Sequence, residues 1–296
     1  MKQSEKWMRG LPYVGNKGQK AQQIIDTLPA GGRFIDVFGG GGSISLTAAN
    51  SGKWDEVIYN DRRKTVVELL HALITDEPHI DLTKYVYVTR EQFFDWRDNQ
   101  PDSIERTLVL TAWSFSNNLK DYLWSRGPTE DNKLLATRAM FYGDTGTRYD
   151  DVFTVTRDKQ TIADKYMAYH KWRREAMNVI DSHANELERL QQLEQLERLK
   201  YSVLDYRDLV IRPDDIVYLD PPYSGTEVQY DGFDGDEFQK WLSQCPAKNI
   251  FISEYTQLPH TEVAFNLGKR RNNMISGGIR LDELLLRYVG VDHAKG

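Results

Sequence analysis

Cysteine is almost absent from this chain of 296 residues, in which Cys245 stands alone. A single cysteine excludes an intramolecular disulfide and any zinc site built from cysteines. The six histidines are scattered along the sequence without the spacing of metal ligands. We therefore expect no metal cofactor.

Long apolar runs are also missing. No stretch approaches the roughly 18 to 20 apolar residues that span a bilayer, and residues 1–6 (MKQSEK) offer no apolar core for a signal peptide. We expect a cytoplasmic protein without membrane contact. The 40% of hydrophobic and 11% of aromatic residues can bury a substantial core, in one large or two modest domains.

A surplus of basic residues is lacking as well, since the formal net charge is −6 at pH 7. This acidity argues against a protein that coats nucleic acid without selectivity. Any contact with nucleic acid must therefore be local.

The most informative stretch that is present is Asp220-Pro221-Pro222-Tyr223, which follows the apolar run 216–219 (IVYL). An apolar run stopped by two prolines predicts a buried strand that ends in a stiff loop, at the sheet edge where α/β proteins bind ligands. The Asp220 carboxylate and the Pro221 carbonyl are two fixed acceptors, and Tyr223 offers a ring for stacking. This combination suits the amino edge of a nucleobase, although a proline-stiffened strand exit with a capping aspartate is the alternative.

A glycine-rich turn, residues 39–43 (GGGGS), lies between a predicted strand at 33–38 and a predicted helix at 44–50. Such a turn lets the backbone approach a cofactor closely. The spacing departs from G-x-G-x-x-G, so pyrophosphate binding is not supported. Asp61 ends the next predicted strand, about 20 residues on, where an acid accepts hydrogen bonds from ribose hydroxyls. The pair indicates a nucleoside cofactor, and a doubly wound fold without one is the alternative.

Asp205 and Tyr206 follow another predicted strand end, at residues 201–204. Asp205 is placed to meet an amino group, such as that of a cofactor's adenine. A simple turn explains the same residues equally well.

Residues 83–199 show no clear alternation of strands and helices, which predicts an inserted domain. Residues 91–96 and 104–115 look helical, whereas residues 125–157 look polar and rich in loops. Residues 165–174 interleave basic and aromatic side chains on a predicted helix, a pattern that suits phosphates and bases. The alternative is a solvated helix face whose aromatic side chains belong to the core.

Together these residues resemble the DNA adenine methylase family of DNA N6-adenine methyltransferases, in the group whose cofactor motifs precede the target-recognition insert and whose catalytic motif follows it. Residues 12–17 (PYVGNK) look like that family's N-terminal cofactor motif, and residues 38–43 (FGGGGS) look like its F-x-G-x-G-S loop. Asp61 matches its ribose-binding acid, and residues 220–223 match its catalytic tetrapeptide. Asp36 stands where a glutamate is commoner.

The resemblance implies a Rossmann-like α/β sheet, formed by residues 1–82 and 200–296, with a mainly helical target-recognition insert at 83–199. It implies S-adenosyl-L-methionine as methyl donor. The residues expected to bind the donor are Tyr13, Gly15, Lys17, Asp36, Phe38, Gly40, Gly42, Ser43, Asp61, Asp205 and Tyr206. The residues expected to carry catalysis are Asp220, Pro221, Pro222 and Tyr223.

The implied partner is double-stranded DNA, bound by a monomer or weak dimer of restriction-modification or phage type. Arginine is the commonest reader of guanine edges, and lysine or arginine on a helix suits phosphates. The residues expected to contact DNA are Asn117, Asn118, Arg126, Arg138, Arg148, Lys165, Lys171, Arg173, Arg174, Lys269, Arg270 and Arg271.

The implied reaction is methylation of adenine N6 after the base has been flipped out of the duplex into the pocket at Asp220. Two alternatives stay open. One is a methyltransferase for another planar nitrogen, such as cytosine N4 or a protein glutamine. The other is a non-catalytic DNA-binding homologue, against which the intact Asp220, Gly40, Gly42 and Asp61 argue.

Overall fold

The structure is a computed structural model that describes residues 9–144, 146–173, 184–191, 193, 196–222, 233–271 and 280–290. Its helices in that part of the chain are α1 Ala21–Thr27, α2 Ser43–Ser51, α3 Lys64–Thr75, α4 Arg90–Asp98, α5 Ile104–Trp113, α6 Pro128–Tyr142, α7 Asp150–Thr156, α8 Ile162–Arg173, α9 Ala184–Gln191 and α10 Gly235–Gln244. Its strands are β1 Gly31–Asp36, β2 Trp54–Asn60, β3 Leu199–Ser202, β4 Ile216–Leu219, β5 Asn249–Glu254, β6 Thr261–Arg271 and β7 Arg280–Tyr288.

The chain divides into two compact units. The sheet unit comprises Lys17–Val67 and Leu196–Gly296, and the helical unit comprises Met1–Asn16 and Glu68–Gln195. The assignment of residues 83–199 to target recognition stays a prediction.

The sheet unit contains seven described strands in the order β3-β2-β1-β4-β5-β7-β6. Strands β1 to β5 are parallel, and β7 runs antiparallel to both β5 and β6. This architecture confirms the predicted Rossmann-like α/β fold. Since parallel strands end at the same edge, the loops after β1, β2, β3, β4 and β5 gather there.

The centre of the sheet is buried because its strands consist of apolar residues on both faces. All four residues of β4 are buried, and Val217 and Leu219 pack in a core with Ile250, Phe238 and Leu242. Phe238 and Leu242 lie four residues apart on α10, so one face of that helix covers the sheet. Asp234 caps the start of the helix, since its carboxylate accepts hydrogen bonds from two N–H groups of the first turn.

The helical unit is held together largely by aromatic residues. Trp113 and Trp124 meet edge to face at 5.3 Å, and Tyr122 packs against both rings. The Arg90 guanidinium forms a partly buried ion pair with Glu130 and lies over the Tyr122 ring. No described helix is long and apolar enough to cross a membrane.

The prediction of a loop-rich stretch at residues 125–157 is wrong, since α6 and α7 occupy much of it. Alanine and methionine provide the buried face of α6, so its apolar pattern is weak in the sequence. Pro128 stands in the first turn of α6, where the missing N–H costs nothing. Gly143, with φ of +71°, ends the helix.

Candidate active site

The glycine turn after β1 is fixed by the end of β2. The N–H of Gly39 donates to the carbonyl of Asn60 at 2.7 Å, and the Tyr59 hydroxyl donates to the carbonyl of Gly40 at 2.7 Å. Gly40 and Gly42 have φ of +49° and +81°, backbone angles that residues with a side chain rarely adopt. A Cβ on Gly39 would lie 2.2 Å from the Tyr59 ring, so this position also requires glycine.

Asp61 belongs to the same clamp. Its carboxylate accepts hydrogen bonds from the N–H of Gly40 at 3.0 Å and of Arg63 at 2.8 Å. Burial raises the pKa of Asp61, while these two bonds oppose the shift. Asp61, the predicted ribose-binding acid, therefore lies directly beside the glycine turn, and hydrogen bonds from the backbone orient its carboxylate.

Asp36 lies beneath the turn, with 1% of its surface exposed. The Ser45 hydroxyl of α2 donates to its carboxylate at 2.6 Å. Burial raises the pKa of Asp36 to about 7, and the negative charges of Asp220 and Asp61 add to the shift. The role of Asp36 in donor binding stays a prediction.

The raised pKa of Asp36 predicts a specific pH dependence of stability. The Asp36 carboxyl stays protonated in the folded chain up to about pH 7, but it ionises near pH 4 in the unfolded chain. The free energy of unfolding of the wild type therefore falls as the pH rises through that range. Relative to the wild type, Asp36→Asn should therefore gain unfolding free energy as the pH rises from about 4 to 7, then level off. Urea unfolding at several pH values measures this difference.

The control is Asp95→Asn in α4. Hydrogen bonds from Asn99 and Gln100 lower the pKa of this exposed carboxyl. Asp95→Asn should therefore not change how the free energy of unfolding depends on pH between about 4 and 7. Equal slopes for the two variants would contradict the burial of Asp36 as the cause.

Asp220 follows β4 at the same edge of the sheet. The Lys17 ammonium donates to its Oδ1 at 2.8 Å and lies 2.8 Å from its Oδ2. Pro221 is buried and Pro222 is half-buried, whereas Tyr223 lies outside the described residues. Lys17, predicted to bind the donor, therefore also holds the predicted catalytic carboxylate.

Two buried glutamates near Lys17 were not identified from the sequence. Glu283 of β7 places its Oε1 3.1 Å from the Lys17 ammonium. Glu254 ends β5, and burial raises its pKa to about 7. The charge of Asp220 raises that pKa further and the charge of Lys17 lowers it. A carboxylate at the end of a fifth predicted strand was the available signal for Glu254.

Asp205 and Tyr206 lie at the end of the β3 connection. Asp205 starts a short 3₁₀ helix and forms an ion pair with Arg207 at 2.6 Å, which lowers its pKa. This geometry favours the simple turn that was the alternative explanation of Asp205.

Tyr206 packs against Phe38, and within the described residues its buried hydroxyl has no hydrogen-bond partner. Asn60, bonded to the carbonyls of Val37 and Leu204, ties this loop to the glycine turn.

Tyr13 and Gly15 belong to the helical unit. Tyr13 is buried, and its carbonyl accepts from the N–H of Asn16. Gly15 has φ of +78°, so this turn favours glycine whatever it binds. Their role in donor binding stays a prediction.

The arginines predicted to read bases differ in how they are held. Arg126 is exposed just before α6. Arg138 forms an ion pair with Asp144, and Arg148 donates to the Tyr149 hydroxyl at 2.9 Å. Arg126 is therefore the candidate with the fewest internal ties in the part of the helical unit that is described.

The basic residues of α8 are not equivalent. Lys165 donates to the carbonyl of Thr156 at 2.9 Å, and burial lowers its pKa. Lys171 is exposed. Tyr166 and Tyr169 are buried, as expected for aromatic residues that pack in the core. Arg174 and the side chains of Arg173, Lys269, Arg270 and Arg271 lie outside the described residues.

The loop after α5 holds Asn117 and Asn118 in an unusual backbone. Ser116, Asn117 and Leu119 all have positive φ, of 54°, 58° and 60°. The Asn118 side chain accepts from the N–H groups of Lys120 and Asp121 and so pins the loop. Such backbone strain is frequent at functional sites. Phe115, at the start of this loop, is 60% exposed and was not singled out as a site residue from the sequence.

Comparison with known proteins agrees with this geometry. The sequence profile of the D12 class N6 adenine-specific DNA methyltransferases matches residues 13–244. The type II methyltransferase M2.HphI of Haemophilus parahaemolyticus is 27% identical over 263 residues, which cover 82% of this chain and 74% of that protein. These matches confirm the resemblance and the predicted DNA adenine-N6 methyltransferase activity. The chain belongs to the D12 class N6 adenine-specific DNA methyltransferases.

Proposed function

We propose that this protein transfers the methyl group of S-adenosylmethionine to N6 of one adenine within a defined sequence of double-stranded DNA. The observation that carries the proposal is the partly buried ion pair between Lys17 and Asp220, at the sheet edge that also holds the glycine turn and Asp61. We further propose that it acts as a monomer or weak dimer of the restriction-modification or phage type.

The residues at the glycine turn fit such a donor. Asp61, bonded to the N–H of Gly40, is the carboxylate that we assign to the ribose, and the first turn of α2 carries no side-chain cap on its N–H groups. The Tyr206 hydroxyl is a buried polar atom without a partner in the described residues, beside an aromatic cluster that includes Phe38. When bound, S-adenosylmethionine supplies an electrophilic methyl group on a cationic sulfur. The carboxylates of Asp61 and Asp220 favour that positive charge.

Asp220 and the Pro221 carbonyl orient the target. The amino nitrogen of adenine is a poor nucleophile because its lone pair is delocalised into the ring. Hydrogen bonds from its two N–H groups to these acceptors draw it toward tetrahedral geometry and expose the lone pair. Catalysis is then mainly positioning and electrostatic stabilisation. Asp220 need not act as a strong base, since the product cation can lose its proton late.

The target base must leave the duplex to reach Asp220. Extrusion costs a few kcal/mol, which stacking on an aromatic ring offsets. Tyr223 is the residue we propose for this stacking.

The experiment that tests the proposal supplies the purified chain with isotopically labelled S-adenosylmethionine and defined acceptors. We expect label only in DNA that contains adenine, and sequencing of DNA from expressing cells should report N6-methyladenine within one motif. Label in cytosine N4 or in protein glutamine would instead identify another planar nitrogen as the acceptor. Absence of label from every acceptor would indicate the non-catalytic homologue.

The helical unit is proposed to contact DNA through few and directed groups. Lys171 is exposed on α8, so Lys171→Ala should weaken DNA binding and lower the slope of log affinity against log salt by about 0.9. A salt titration of DNA affinity measures this slope. Lys165→Met is the matched control on the same helix, because its ammonium already donates to Thr156. An unchanged slope for Lys171→Ala would make α8 a solvated face packed by its aromatic residues.

A further inference from the structure

The Lys17 ammonium contacts two carboxylates that come from distant parts of the chain. It lies 2.8 Å from Asp220 and 3.1 Å from Glu283. The side chains of Lys17 and Glu283 are 2% and 0% exposed, whereas that of Asp220 is 18% exposed. Asp220 is therefore the member of this triad that a ligand can reach.

The strand register explains how Glu283 comes to this place. Leu284 of β7 pairs with Glu254, the last residue of β5, and Glu283 pairs with Gly268 of β6. Because β7 is antiparallel, its early residues lie at the edge where β1 to β5 end. Glu283 thus reaches the active-site edge from the opposite chain direction.

The triad carries one net negative charge when all three groups are ionised. Proximity to an ammonium favours the charged form of a carboxylate, and burial makes the loss of either partner costly. Without Glu283 the lysine and Asp220 would form a neutral pair. The donor that Glu283 accepts would then be free to turn toward Asp220, in competition with the target amino group for its lone pairs.

Methylation places a positive charge on the amino nitrogen that Asp220 holds. A pocket that keeps one net negative charge stabilises this cation, whereas a neutral Lys17–Asp220 pair stabilises it less. Glu254 and Asp36 are weaker sources of such charge, since the pKa of each is raised to about 7.

We propose that Glu283 is a positioning residue for methyl transfer, which acts through Lys17 to keep Asp220 oriented and open to the target amino group. This inference rests on the function proposed above. Glu283 touches neither target nor donor in this assignment.

The first test compares Glu283→Gln with the wild type. The amide keeps the shape but not the charge, so kcat should fall about 10- to 100-fold, as for residues that orient a reacting group. The KM values for DNA and for S-adenosylmethionine should stay within about twofold, because binding contacts are intact. Glu283→Asp retains the charge on a shorter arm, and it should recover part of the lost kcat.

The matched control is Asp215→Asn, which removes a different, partly buried ion pair from the same unit. Asp215 binds Arg33 at 2.6 Å and lies just before β4, at the opposite end of that strand from Asp220. Both variants should lose unfolding free energy, but Asp215→Asn should keep the wild-type kcat. Equal kcat values for the two variants would make Glu283 a structural residue and overturn the inference.

Two further measurements test the route through Lys17. In a double-mutant cycle, Glu283→Gln should add no loss of kcat to the loss caused by Lys17→Met. In the nitrogen spectrum of labelled lysine, the Lys17 ammonium should exchange slowly with water in the wild type and in Asp215→Asn, and quickly in Glu283→Gln. Additive losses or an unchanged ammonium signal would overturn the inference.

These experiments distinguish a variant that fails to fold from one that folds but has lost activity. If Glu283→Gln does not fold, Glu283→Asp supplies the comparison, with a lowered kcat and unchanged KM as the expected result and a wild-type kcat as the contrary one. A wild-type chain that methylates no adenine would contradict the proposed function itself. Wild-type methylation with undiminished turnover in the folded Glu283 variants would contradict this inference alone.

Discussion

Asp220→Ala is expected to abolish methyl transfer, with a loss of at least about 100- to 1,000-fold, the magnitude for one preorganised polar group at a reaction centre. The alanine cannot accept a hydrogen bond from the target amino group. The fold should survive, because Glu283 remains beside Lys17 and prevents an isolated buried ammonium. Affinity for S-adenosylmethionine should stay largely intact, since Asp220 is assigned to the target.

Single-turnover methylation together with calorimetry of donor binding measures both parts of this expectation. Asp214→Ala is the matched control, because Asp214 is an exposed aspartate that lies before the same strand. Turnover retained in Asp220→Ala would remove Asp220 from the catalytic role. A large loss of donor affinity would instead place this carboxylate in the donor site.

Asp61→Ala is expected to weaken the binding of S-adenosylmethionine by about 10- to 100-fold. A hydrogen bond to a charged group contributes about 1.5 to 3 kcal/mol, and the ribose would lose this acceptor. The N–H groups of Gly40 and Arg63 would also lose their partner, so the glycine turn would be less well fixed. Both effects act on the donor.

Calorimetric titration of Asp61→Ala with S-adenosylmethionine tests the assignment, and DNA affinity serves as the folding control. Asp55→Ala is the comparison on the same strand, since Asp55 is exposed on β2. Equal donor affinity in Asp61→Ala and the wild type would refute the ribose-binding role.

The sheet edge was predictable because its signals are local. Each of β1, β2, β4 and β5 contains a short apolar stretch, and a glycine turn, a double proline or an acid marks where all four of them end. Parallel strands place those ends together without further information. The contact of Gly39 with Tyr59 was not predictable, since it depends on the distance between two loops.

Residues that depend on tertiary contacts were missed or misread. Glu283 lies in β7, whose pairing with β5 spans a long stretch of sequence and sets which side chain faces Lys17. Lys165 looks like its basic neighbours in the sequence, but its ammonium donates a hydrogen bond to the carbonyl of Thr156.

The strand order also has a consequence for synthesis on the ribosome. Strand β7 is the last to emerge among the seven described strands, yet it inserts between β5 and β6 and delivers Glu283 to Lys17, near the beginning of the chain. Until β7 has emerged, β5 is an open sheet edge that can pair with other chains. A nascent chain can therefore assemble the glycine turn and the Asp220 loop early, but it has the buried charge balance of the complete site only after β7 has joined the sheet.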